Sequence, residues 1–207
     1  EMLENFNPCF VLDLTATPKK ESNIISYVDA VQLKNEHMVK LPVIVYNRDS
    51  QSEVLIDAID LRNKLEEIAN AEYDRPGKYI RPIALFQAQP KGKEDATTFE
   101  KLRDKLVDAG IPAEQIAIRT ADVNELKNID LMSPDCPIRY IITVNALKEG
   151  WDCPFAYILA SLANKTSQVD VEQILGRILR LPHTSQHTQS ALNMSYVLTS
   201  SNDFNNT

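Results

Sequence analysis

What most restricts the fold of this chain is its alternation of short apolar runs with segments of helical period. Residues 38–48 (MVKLPVIVYNR), 79–88 (YIRPIALFQA), 115–119, 138–145 (IRYIITVN), 155–162 (FAYILASL) and 193–200 (NMSYVLTS) are strand-length and rich in β-branched or aromatic residues. The run at 28–33 (VDAVQL) also reads as extended, and CFVLDLT at 9–15 as a short buried strand that Pro18 cannot continue. Between the runs lie helical stretches. Over 53–73, Val54, Leu55, Ala58, Leu61, Leu65, Ile68 and Ala69 recur at three and four. Pro76-Gly77 then marks a turn. A second helix runs from the capping box Thr97-x-x-Glu100 to a C′ residue at Gly110, with Phe99, Leu102, Leu106 and Ala109 as its buried stripe. Asp122-x-x-Glu125 opens a short helix, and Ser167-x-x-Asp170 opens another that Pro182 stops. Near-continuous apolar strands separated by helices imply a mostly parallel sheet covered on both faces, a three-layer α/β domain. In such a sheet, sites form at the carboxyl ends of strands, so functional residues are expected just after them.

Composition narrows the partners. The chain has 207 residues, 43% apolar and 25% charged, an ordinary globular make-up. Its formal charge is −7, whereas a protein that binds nucleic acid over its whole surface is basic, so any such contact must be local. No apolar run approaches the roughly 18 residues of a membrane span. The opening EMLENFNPCF has no basic n-region, which argues against a signal peptide. Cys9, Cys136 and Cys153 are widely spaced and lack CxxC or paired-histidine patterning. This fits a reducing cytoplasm and argues against a zinc site or disulfide framework. The polar end SSNDFNNT suggests a piece of a longer protein.

One helix stands apart. In VDVEQILGRILRLP at 169–182, about 100° per residue brings Gln173, Arg177 and Arg180 within an arc of roughly 60°. Val171, Ile174, Leu175, Ile178 and Leu179 cover the opposite side and hold the helix in place by burial. The polar side becomes a rigid row of one amide and two guanidiniums. Gly176 stands beside it, and a mid-helix glycine costs on the order of 1 kcal/mol, so a close approach is expected there. On residue chemistry alone, a surface helix with two solvated arginines fits as well. Upstream, the strand IRYIITVN is followed by ALKEGWDCP, where Gly150 suits a tight turn and Asp152 precedes the next strand. Trp151, the lone tryptophan, reads as a packing residue or as a base-stacking platform.

QILGRILR fits Q-x-x-G-R-x-x-R and resembles motif VI of superfamily 2 helicases. LTATPKK resembles motif III, YIRPIALFQA the motif IV strand, and TVNALKEGWDCP motif V. Many relatives carry Thr-Asp near the start of motif V, where this chain has Thr143-Val144-Asn145. The wording ALKEGWDCPFAYILASL followed by VEQILGRILRLP looks like the restriction (Res) subunits of type III restriction enzymes, and the likeness covers about Phe10 to Leu198.

The resemblance implies a RecA-like (P-loop NTPase-like) fold, with residues 1–27 ending a first RecA-like lobe and linker and 28–207 forming the second, C-terminal helicase lobe. It implies that Arg177 and Arg180 act as arginine fingers and that Gln173 orients water or bridges to motif V. Gly150, Asp152 and Gly176 would join both arginines around the nucleotide. Thr15, Thr17, Thr143 and Asn145 would couple the nucleotide to the nucleic-acid backbone. The implied partners are duplex DNA, the first lobe and a modification (methyltransferase) subunit, with any endonuclease elsewhere in the chain. ATP and Mg²⁺ belong to the full-length protein. G-x-x-x-x-G-K-[ST] and D-E-x-H or D-E-x-D are absent from the sequence, so neither is expected to bind this piece alone. Two rival classes share the α/β order: a doubly wound nucleotide-sugar enzyme and a non-catalytic nucleic-acid-binding or adaptor module. The first offers no reason for the Q-x-x-G-R-x-x-R helix, and the second predicts that DNA does not stimulate ATPase activity in the full-length chain.

Overall fold

A computed structural model describes residues 9–12, 23–73, 78–89, 97–144, 152–162, 176 and 178–200. Six strands form one sheet: β1 (Val43–Asn47), β2 (Ile83–Gln87), β3 (Ile116–Ile118), β4 (Tyr140–Thr143), β5 (Ala156–Ser161) and β6 (Ser195–Thr199). Their spatial order is β1-β6-β5-β2-β4-β3, and every pairing is parallel. Every residue of β2 to β6 is buried, which is why these strands read as unbroken apolar runs, whereas edge strand β1 is only half-buried.

Among the described residues the helices α1 (Ala30–Asn35), α2 (Gln51–Tyr73) and α3 (Phe99–Asp108) accompany the sheet. Helix α2 buries Val54, Leu55, Ala58, Leu65 and Ala69 at helical spacing and packs on β5, β6 and β2. Arg62 is buried in the same stripe, where it meets Glu66 at 2.7 Å; Glu66 also receives Arg139 from the approach to β4. Helix α3 buries Leu102 and Leu106 against β4, and Gly110 (φ +88) supplies the left-handed turn that ends it.

Several expectations need correction. VDAVQL is not extended: Asp29 caps α1 by accepting from Gln32 N–H at 2.7 Å, while Gln32 accepts from Asp29 N–H at 3.0 Å. That reciprocal capping box overrides the β-like alternation. The cap of α3 is Thr98 rather than Thr97, and Ala109 is exposed. Asp122-x-x-Glu125 starts no helix, because Glu125 accepts from Ile118 N–H at 2.7 Å and pairs with Arg103 at 3.0 Å, fixing a turn instead. Of the segment expected as a buried strand at 9–15, the described part has no strand, and Phe10, Val11 and Leu12 are exposed. No described helix is long and apolar enough to cross a membrane.

Candidate functional site

The chain leaves β5 at the carboxyl edge of the sheet and must return to the amino edge to begin the parallel β6. Residues shortly before β6 therefore lie at the amino edge, and Arg180 does. Its backbone bridges Val39, ahead of β1, and Lys40 N–H and Leu181 N–H bond to Leu179 O and Met38 O at 2.5 and 2.9 Å. This corrects two expectations. Arg180 is on extended backbone beyond the last helical residue, Ile178, so it does not continue a helical row; and it projects from the amino edge, not the carboxyl edge.

Asp152 comes to the same place from the other direction, four residues before β5 begins. Arg180 Nη1 donates to Asp152 Oδ2 at 2.7 Å across 28 residues of sequence. The side chains are 64% and 40% exposed, so the pair contributes at most about 1 kcal/mol to stability. An arginine has five N–H donors, and a side chain this exposed can offer others to an anionic oxygen.

Beneath the pair lies a group that the motifs do not mention. Lys40 is fully buried. Its Nζ donates to Pro154 O (2.8 Å), Ala156 O (3.0 Å) and Arg180 O (2.7 Å), one acceptor per ammonium proton. It also stands 4.4 Å from the centroid of the Tyr157 ring. Burial pushes Lys40 down to about 7, against the upward pull of Cys153 and Asp152, and pushes the buried Cys153 thiol up to about 11. Both are tuned by desolvation. Cys153 is thus held as a neutral thiol rather than a nucleophile. A second buried cation, Arg81, donates to Leu131 O (2.6 Å), Ser133 O (2.8 Å) and Ile138 O (2.9 Å), fixing the approach to β4 at the same edge.

The remaining expected residues divide. Thr143 is the last residue of β4, buried at the carboxyl edge, and its carbonyl accepts from Ala88 N–H at 2.7 Å. Four strand residues separate that edge from the amino edge, roughly 13 Å at 3.3 Å per residue, so Thr143 is not beside Arg180. Gly176 is exposed, and a Cβ there would meet nothing within 4 Å, so the expected close approach does not occur among the described residues. Thr15, Thr17, Asn145, Gly150, Trp151, Gln173 and Arg177 lie outside the described residues.

The carboxyl edge carries a different cluster. β2 leads on toward β3 and its neighbour β5 toward β6, so the chain diverges between them, the topological switch point of the sheet. Ser161 donates to Gln87 Oε1 at 3.0 Å there, and Thr97 N–H to Gln89 Oε1 at 2.9 Å. Gln51 and Gln89 each donate to Leu162 O at 2.9 Å, and Thr97 Oγ1 donates to Gln51. The signal for this network was Gln87-Ala-Gln89 just past an apolar strand. Lys40 gave only a lysine inside MVKLPVIV, which reads as a surface residue. Among the described residues no group of three or more His, Cys, Asp or Glu could hold a metal, and the three cysteines are free.

The chain matches no known protein-family profile and no curated protein. Its fold is similar to that of a fragment assigned as the HsdR subunit of a type I restriction enzyme from Vibrio vulnificus YJ016, with a TM-score of 0.58 and 18% identity over 99% of this chain. The chain spans 42% of the length of that structure. A looser likeness is to the ATP-dependent Type ISP restriction-modification enzyme LlaBIII bound to DNA, with a TM-score of 0.44 and 18% identity over 80% of this chain and 12% of that one. The parallel six-stranded sheet with its flanking helices is an α/β fold of the RecA-like kind.

Proposed function

We propose that this chain is the C-terminal motor lobe of an ATP-dependent DNA helicase or translocase of a restriction system, closest in motif wording to the Res subunit of a type III enzyme. The observation that carries the reading is the Arg180–Asp152 contact at 2.7 Å. It joins the last arginine of Q-x-x-G-R-x-x-R to the acid of the GWD loop, the two motif positions expected to serve one nucleotide. Because so exposed a pair adds little stability, holding it in place suits a function better than a structural need. The fold shared with the HsdR fragment is compatible with a motor lobe.

In this reading residues 1–27 belong to the preceding lobe and linker. Phe10, Val11, Leu12, Ile24, Ile25 and Tyr27 are exposed, which suits segments that pack on a neighbour. In this reading the other lobe supplies the phosphate-binding loop and the Mg²⁺ acid, whose sequence signatures are those of the first lobe. ATP, when bound between the lobes, supplies the phosphoryl group. Arg180, with Arg177 beside it in sequence, brings delocalised positive charge to the phosphate oxygens, a fork geometry suited to them. Asp152 orients Arg180 until a phosphate competes for it. Gln173 positions water or bridges to the motif V loop, to which Gly150 and Asn145 belong, and Gly176 keeps the adjacent surface open. Thr143 is buried at the opposite edge and would act by bridging toward the nucleotide site rather than by touching DNA; Asn145 would meet the DNA backbone, and Thr15 and Thr17 would relay between the two sites. Such contacts are to phosphates and carry little sequence information. The modification subunit reads the site, and the assembly works in the cytoplasm.

The test is Arg180→Ala in the full-length protein. DNA-stimulated ATP turnover is expected to fall by on the order of 10³ or more, with nucleotide affinity changed only a few-fold. Undiminished turnover would remove Arg180 from the reaction.

A further inference from the structure

Three chain segments meet at the Arg180–Asp152 pair, and so exposed a contact contributes little to holding them together. One segment precedes β1, one precedes β5, and one follows Ile178. The backbone bonds between 38–40 and 179–181 join the first to the third. The second is joined to the others through the side chain of Lys40, which reaches Pro154 O and Ala156 O on one side and Arg180 O on the other. Removing the ammonium would leave three buried or part-buried carbonyls without their donor, and the segments bearing Asp152 and Arg180 without their shared tie.

We propose that Lys40 is a positioning residue: its buried ammonium gathers the Pro154, Ala156 and Arg180 carbonyls and thereby sets the Arg180 guanidinium against Asp152. The geometry is specific. A tetrahedral ammonium has three N–H vectors, and three carbonyls at 2.7–3.0 Å take them. Ser195, the first residue of β6, holds its hydroxyl 3.4 and 3.3 Å from Lys40 O and Ile178 O, which share its one proton, so the same knot is also referenced to the sheet. Tyr157 closes the remaining side with its ring face. The charged and titratable groups around Lys40 are Asp152 and Cys153 ahead of β5, Tyr157 on β5, Arg180 after Ile178, and His187 in the loop before β6. Among these Asp152 is the acid, and its carboxylate is taken by Arg180. The hydrogen bonds of the Lys40 ammonium therefore go to carbonyls, with Asp152 acting on it only through its charge, so its role is to hold backbone.

The step from positioning to catalysis rests on the function proposed above, and the experiment separates the two. In the full-length protein, Lys40→Met is compared with wild type and with Arg180→Ala by ATP-turnover kinetics and by hydrogen exchange at Leu181 and Ala156. These amides bond to Met38 O and Cys153 O beside the knot. For Lys40→Met the expected result is exchange at least tenfold faster at both amides, beyond any change at Ile118 on β3. With it, kcat falls at least tenfold while the KM for ATP stays within threefold, because a misplaced finger loses transition-state contacts and not ground-state binding. Unchanged exchange at the two amides would overturn the proposal. So would an unchanged kcat in Lys40→Met where Arg180→Ala has abolished turnover. If Arg180→Ala leaves turnover intact, the motor reading fails, and exchange alone decides whether Lys40 is the tie. Should Lys40→Met not fold, Lys40→Arg supplies the decision. A guanidinium keeps the charge, but its planar fork cannot give three tetrahedrally arranged donors to the same carbonyls, so exchange at Leu181 and Ala156 should again be at least tenfold faster, beyond any change at Ile118. Unchanged exchange at the two amides in Lys40→Arg would overturn the proposal as well.

Discussion

The amino and carboxyl edges of the sheet are closed by different chemistry. At the amino edge two fully buried cations, Lys40 and Arg81, tie returning segments together through backbone carbonyls. At the carboxyl edge Gln51, Gln87, Gln89, Thr97 and Ser161 do the same work with neutral amides and hydroxyls. Both solutions satisfy buried backbone groups. They differ in cost and in response to solution conditions. A buried cation gives more donors per side chain but carries a desolvation penalty, and its free energy depends on pH. A neutral network is cheaper to bury and indifferent to pH. The exposed Arg180–Asp152 pair stands over the charged edge, so the part of the molecule that holds Arg180 is also the part whose packing is sensitive to protonation.

The largest effect should come from emptying a cation cage. Arg81→Ala removes the donors to Leu131 O, Ser133 O and Ile138 O and leaves a void where a fully buried side chain stood. Unpaired buried carbonyls cost about 1–3 kcal/mol each, with partial relief from relaxation and water, so a loss of about 4 kcal/mol is expected in urea unfolding. Arg81→Lys restores three donors and should recover part of it. A loss under about 1 kcal/mol for Arg81→Ala would mean that the amino edge does not depend on its cations.

The next effect separates the edges by pH. Lys40 has its folded-state value lowered to about 7 from 10.5, by burial above all. Between those values the unfolded chain binds more protons than the folded one, so stability rises with pH in that window. Below pH 7 both states are protonated and this contribution is flat. The penalty for burying the charge should therefore shrink by about 2 kcal/mol between pH 7 and pH 9, at about 1.4 kcal/mol per pH unit. The measurement is the stability of wild type minus that of Lys40→Met across pH 6–9, which cancels the other titrating groups. A difference that does not rise above pH 7 would place the ammonium in water.

What could be read from the sequence follows the same division. The strands were legible because β2 to β6 are buried on both faces and so are apolar throughout. Helices α2 and α3 were legible from their period. Helix α1 was misread because the alternation in VDAVQL was weighed above the Asp29-x-x-Gln32 cap. The edge on which Arg180 sits was misread although the topology decides it, since a segment joining parallel strands must end where the next strand begins. Asp152 and Arg180 were singled out from motif wording, and the structure brings them together at 2.7 Å. Lys40 and Arg81 were invisible for a physical reason: their partners are carbonyls, which every residue carries, so no pattern of side chains marks them.

The smallest effect belongs to the neutral edge. Gln89→Leu keeps the volume close but removes an acceptor for Thr97 N–H and a donor to Leu162 O. Leu162 O retains Gln51, so one buried N–H is orphaned rather than two groups. The cost should be about 1–2 kcal/mol. More telling than its size is its shape: because the amides and hydroxyls of this network exchange no proton, the loss should be the same from pH 6 to pH 9, while the Lys40 difference climbs above pH 7. Equal pH profiles for the two substitutions would erase the distinction between the edges. A flat profile beside a rising one would place the pH dependence of the fold at the edge that carries Arg180.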